Sequence, residues 1–174
     1  TIRVFVDDDF VPDVEPSDPS YDEYLVIEPY RLYYLGWSQF RLGSFAAAQE
    51  PLGELVARFP SHAFAGDAAY LAGFSAYSNG SYGEAAGFLR RAVSLAESRD
   101  QSAQAAFLLG QALRDAGQSA EAAVQFQDVA QEYGDSEYAD DALYEYALVQ
   151  RAAGKPAVAI RAYQRIAEEY PGSS

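Results

Sequence analysis

The chain has 174 residues, 49% of them hydrophobic, and a net charge of −14 from 12 Lys and Arg against 26 Asp and Glu. That apolar content can bury a core, which excludes global disorder, and the lack of clustered cations argues against nucleic acid or an anionic membrane surface as a partner. There is no cysteine, which excludes disulfides, thiol chemistry and thiolate metal sites; the one histidine, His62, is too few for the usual zinc site and has no nearby Ser-Asp constellation suggesting a triad, and no cofactor is expected.

Residues 1–28 read as an acidic N-terminal arm. Ile2, Val4 and Val6 alternate with Arg3 and Phe5 in a short strand-like run, after which Asp7-Asp8-Asp9, Pro12, Pro16 and Pro19 break any regular element. Phe5, Phe10, Tyr21 and Tyr24 are its candidate anchors. Three roles follow: a cap on the first repeat, an occupant of a groove in its own or a neighbouring molecule, or the end of an upstream domain. The chain starts at Thr1 and contains no Met, so it reads as a processed or excised piece, and no apolar run approaches the roughly 20 residues of a membrane span.

From residue 29 onward a fixed period takes over. Gly43, Gly80, Gly117 and Gly154 stand 37 residues apart, and so do Ala48, Ala85, Ala122 and Ala159, as well as Gly36, Gly73, Gly110 and Ala147. A period held without insertion marks an all-α solenoid, here four helix pairs at about 29–65, 66–102, 103–139 and 140–174. The glycines of the first set fall where a helix end needs a left-handed residue. Ser44, Ser81 and Ser119 then offer N-caps to the second helices, and Ser81-Tyr82-Gly83-Glu84 spells a capping box. The mid-helix small residues imply close helix approach, with the four alanines as the facing contacts. Pro51, inside a second helix, predicts a lost hydrogen bond and a kink. His62 reads as a polar residue of the turn Phe59-Pro60-Ser61-His62. The closing Tyr170-Pro171-Gly172-Ser173-Ser174 looks like the start of another such turn.

These small residues, with Pro60 and Pro171 after the second helices, resemble the tetratricopeptide repeat (TPR) family over residues 29–171; Glu97 and Gly134 depart from the Pro position. The family's unit is about 34 residues, and the extra residues here carry Phe64-Ala65-Gly66-Asp67-Ala68-Ala69-Tyr70 and Tyr138-Ala139-Asp140-Asp141-Ala142-Leu143-Tyr144. That pattern is similar to repeats of bacterial envelope proteins, in the style of the periplasmic repeat protein of the Tol-Pal system and the lipoprotein of the outer-membrane barrel-assembly machinery. The resemblance implies a right-handed superhelix, a periplasmic or envelope-associated location and a non-catalytic binding scaffold.

In that family the first helices line a concave face. Its groove positions correspond here to Tyr30, Tyr33, Trp37 and Phe40 in the first unit and to Asp67, Tyr70, Phe74 and Tyr77 in the second. The third unit gives Gln104, Phe107, Gln111 and Arg114, and the fourth gives Asp141, Tyr144, Leu148 and Arg151. Aromatics and Arg are typical interface anchors, so a peptide or protein ligand with apolar anchors is expected, with an acidic group near Arg114 and Arg151. Tyr33, Tyr70 and Tyr144 read first as packing between neighbouring helices. Two rivals stand beside this reading: a self-assembling module joined through the arm or the C-terminal unit, and an accessory domain of a larger protein.

Overall fold

The four periodic glycines end helices as their spacing predicts. Gly43, Gly80, Gly117 and Gly154 have φ of 74°, 78°, 80° and 74°, a region other residues enter only with strain. Each closes a Schellman turn: the Gly43 N–H donates to Phe40 O and the Ser44 N–H to Gln39 O, and the same pair of bonds recurs at 80/81, 117/118 and 154/155.

The computed structural model describes residues 21–172, with side chains from residue 26 onward. Among these it contains eight helices and no strand: α1 (Tyr21–Arg41), α2 (Phe45–Arg58), α3 (Ala65–Ser78), α4 (Tyr82–Leu95), α5 (Arg99–Asp115), α6 (Ser119–Glu132), α7 (Ala139–Ala152) and α8 (Pro156–Glu169). Each packs on the next in sequence, and α1 also touches α3 and α3 touches α5. This is the all-α solenoid of helix pairs read from the repeat. The strand-like run at Ile2–Val6 and the anchors Phe5 and Phe10 lie outside the described residues.

Three local expectations need correction. The first helix starts at Tyr21, so residues 21–28 of the arm are helical and Pro29 lies within α1. Proline removes one N–H and crowds the carbonyl four residues back, but burial holds the helix through it. Pro29 and Leu32 are buried, and buried Glu28 accepts two 2.8 Å bonds from Arg31 and a 3.4 Å bond from Arg58. Pro51 is buried within α2, which is one helix from Phe45 to Arg58.

The serine caps also differ. Ser44 and Ser81 occupy N-cap positions with ψ of 62° and 58°, away from the extended conformation that aims a cap oxygen at the first turn, and neither side chain caps. Glu84 instead accepts a 2.6 Å bond from Gln49 of the preceding unit. Ser119 is the first residue of α6, with Gln118 before it. The capping box forms elsewhere, where Ser98 and Gln101 bond reciprocally and start α5 early.

Finally, the mid-helix glycines face large residues, not the alanines. A Cβ on Gly36 would lie 2.4 Å from Leu52, one on Gly73 2.7 Å from Leu89, and one on Gly110 2.5 Å from Phe126. Leu52, Leu89 and Phe126 are themselves one period apart and fully buried. In the fourth unit Ala147 restores the Cβ, and its counterpart Tyr163 is only partly buried, its ring 5.9 Å from that of Tyr144.

Candidate functional site

The first helices α1 and α3 each turn one side to the second helix of their unit, one to the next first helix, and one away from both. In α1 the buried residues Leu32 and Gly36 mark the side toward α2. Tyr33 and Phe40 mark the side toward α3: the Tyr33 ring stacks on Phe64 at 4.2 Å, and Phe40 packs edgewise on Phe74 at 5.4 Å. The remaining side carries Tyr30, Tyr34 and Trp37, spaced by four and three residues on one stripe. They are 46%, 56% and 39% exposed. Arg41, one turn beyond, sets its guanidinium 5.2 Å from the Trp37 ring. Ile27, three residues before Tyr30, extends the same exposed stripe.

This geometry divides the residues expected from sequence. Tyr30 and Trp37 are open, although Tyr30 also meets the edges of His62 and Phe64. Tyr33, Phe40, Tyr70, Phe74, Tyr77 and Phe107 are half-buried between units. Phe74 closes a three-ring cluster with Phe40 and Phe45, and Phe107 lies 5.6 Å from Tyr138 and 5.9 Å from Phe126. Tyr144, 50% exposed, and exposed Arg151 sit at the equivalent positions on α7, where no described first helix follows. His62 closes its turn by accepting the Phe64 N–H at Nδ1. Tyr34 is the exposed aromatic that the sequence reading left out. The signal was present in the run 27, 30, 34, 37, a seam of three- and four-residue steps.

Polar bonds link successive first helices on this side of the molecule. The Tyr33 hydroxyl donates to Asp67 at 3.4 Å, and the Tyr77 hydroxyl donates to Asp115 at 2.7 Å. Arg114 bonds Asp115 at 2.8 Å and also pairs with Glu145 on α7. Burial and then the neighbouring Asp67 carboxylate push the Tyr33 phenol up to about 12, while burial and the bond to Asp115 do the same for Tyr77. The Arg114 bond holds Asp115 below the usual carboxylate range. Arg114 is therefore engaged inside the protein, and Arg151 is left as the exposed arginine of the predicted pair. Among the described residues no His, Asp and Glu group is placed to hold a metal ion, and no helix is long and apolar enough to cross a membrane.

Two cavities open near these helices. One of about 90 Å³ lies where α3, α4 and α5 meet, with Asp67, Tyr70, Gln101 and Gln104 in its wall. The other, about 340 Å³ and more open, is lined by Arg114, Ser119, Glu145, Leu148, Val149, Ala152 and Ala153.

The fold has solved counterparts. Residues 41 to the end of MamA from Desulfovibrio magneticus RS-1 superpose with a TM-score of 0.67 at 20% identity, covering 84% of this chain and 78% of that one. YrrB, described as a TPR protein with an unusual peptide-binding site, gives 0.68 at 21% identity over 87% and 75%. A tetratricopeptide repeat protein from Parabacteroides merdae ATCC 43184 gives 0.68 at 16% over 84% and 55%. No curated protein matches the sequence. The TPR solenoid read from the glycine and alanine spacing is thus the fold of these proteins. A family model described as outer membrane lipoprotein, YfiO, matches residues 27–171, beginning two residues before Pro29 and ending at Pro171. The chain belongs to the YfiO outer membrane lipoprotein family.

Proposed function

We propose that the protein is a binding scaffold of the bacterial cell envelope, and that its first-helix face takes a peptide segment of a protein partner. One observation carries the reading: Tyr30, Tyr34 and Trp37 stand on a single stripe of α1, each more than a third exposed. Large aromatics contribute most to binding when a partner desolvates them, at little cost in side-chain entropy. The family description supports an envelope setting, and YrrB gives the fold a precedent for peptide binding. Tyr33, Tyr70, Phe74, Tyr77, Phe107 and Arg114 hold that face rigid by linking the units, and Tyr144 and Arg151 extend it at the far end.

The test is capture of envelope proteins by the chain and by a Tyr34→Ala/Trp37→Ala variant shown by circular dichroism to keep its helices. A protein retained by the first and lost by the second supports the face. Equal retention by both overturns it.

A second reading, self-association through the C-terminal unit, rests on Ile160. The equivalent positions Ala86 and Ala123 are buried, whereas Ile160 is 56% exposed on α8. It presents an apolar contact surface that a second copy could cover.

A further inference from the structure

The exposed stripe of α1 has counterparts one, two and three periods on. Tyr30, Tyr34, Trp37 and Arg41 correspond on α7 to Asp141, Glu145, Leu148 and Ala152. The same register therefore runs from an aromatic end with one cation to an end with two carboxylates and two small or aliphatic residues. On the helices between, it contributes Asp67 and Asp115.

We propose that the partner peptide is amphipathic along its length: apolar side chains lie on α1, and a lysine-like side chain enters the cleft beside α7. Its aliphatic stem would run along Leu148, Val149 and Ala152, with its ammonium group toward Glu145 and Asp141. This rests on the peptide-binding reading above and specifies its polarity and chemistry.

Two features support the proposal. The cleft of about 340 Å³ has aliphatic walls on one side and Glu145 on the other, the combination that suits a long side chain with a charged tip. Arg114 also lines it, but that charge is bonded to Asp115 and Glu145, so the three groups together are still negative. Asp141 is exposed, and among the described residues no cation pairs with it. Partial burial, then Asp140 and Glu145, hold its carboxyl above the ordinary range. A cation placed there would relieve like-charge repulsion. The whole-chain charge of −14 works in the same direction, attracting basic peptides and repelling acidic ones.

Trp37 is the only tryptophan, so its emission reports on the α1 end directly. The probes are two synthetic, tryptophan-free peptides that share a Leu- and Phe-bearing half and end in either a lysine pair or a glutamate pair. The lysine peptide is expected to change Trp37 emission and bind at least about tenfold tighter than the glutamate peptide at low salt, with the gap narrowing as salt is added. Asp141→Asn should narrow that gap and Asp141→Lys should close or reverse it, helicity being checked for both. Equal binding of the two peptides, with Trp37 responding, overturns the polarity and leaves the binding face intact. A lysine preference untouched by Asp141→Lys overturns the cleft as its seat. No Trp37 response to either peptide overturns both this inference and the peptide-binding reading beneath it.

Discussion

Ser75 and the helix glycines show how differently single positions contribute. The Ser75 hydroxyl is fully buried in α3 and has no hydrogen-bond partner. An unpaired buried hydroxyl costs stability, so Ser75→Ala should be neutral or raise stability by up to about 1 kcal/mol. Gly110 tests the opposite case. Alanine is the better helix former by about 1 kcal/mol, yet its Cβ would press on the ring of Phe126. Gly110→Ala should therefore cost about 1–3 kcal/mol. Gly87, in α4 with open space around it, is the control, and Gly87→Ala should gain up to the propensity difference of about 1 kcal/mol. Urea midpoints of the three variants decide the matter, and a Gly110→Ala as stable as Gly87→Ala would refute the close approach.

At the level of elements, the first helices are tied by Tyr33–Asp67, Tyr77–Asp115 and Arg114–Glu145. These ties give stability a signed dependence on pH. The Tyr33 and Tyr77 phenols ionise near 10 when unfolded and near 12 when folded, so the folded state keeps their protons longer. Their contribution is complete below pH 10 and is lost as pH rises toward 12. Asp115 has the opposite sign: its carboxyl is lowered by Arg114, so its contribution is present at neutral pH and lost in acid. Urea midpoints measured from pH 9 to 12 should fall, and Tyr77→Phe should flatten the fall; an unchanged slope in that variant would remove the tie.

These ties also explain what the sequence could and could not disclose. The glycine turns were legible because a left-handed backbone is a demand of one residue, independent of its neighbours. The exposed stripe of α1 was legible only to within one residue. Tyr33 and Tyr34 differ by 100° around α1, and the rotation between units decides which faces α3 and which faces outward. That rotation is a property of two units in contact and leaves no mark in the spacing within either. The capping box missing at Ser81 has a comparable origin, since its Glu84 bonds Gln49 of the unit before.

For the whole molecule, burial is distributed along the stack rather than gathered at one centre. One apolar cluster joins the second unit to the fourth, another joins the first unit to the third, and the last pair adds a small cluster of Ala147, Ala159 and Ala162. On α8, Ile160 is a large apolar residue left exposed. If copies meet there, the charge of −14 on each opposes the contact, so association should strengthen as salt screens it. Light scattering should then report mass that rises with concentration and salt and falls back with Ile160→Glu. A monomer under all conditions would set self-association aside.

The constant interval between the glycine turns has a genetic consequence. Because Gly43, Gly80, Gly117 and Gly154 mark equal lengths of chain, unequal crossing-over between two units removes or adds a whole pair and leaves every remaining turn in phase. Deleting residues 66–102 would place Ala103 where Gly66 stood, bringing Gln104 opposite Tyr33 in place of Asp67. The length of the stack and the chemistry of its inner positions can thus change in a single event, while the helix pair that makes folding possible is inherited whole.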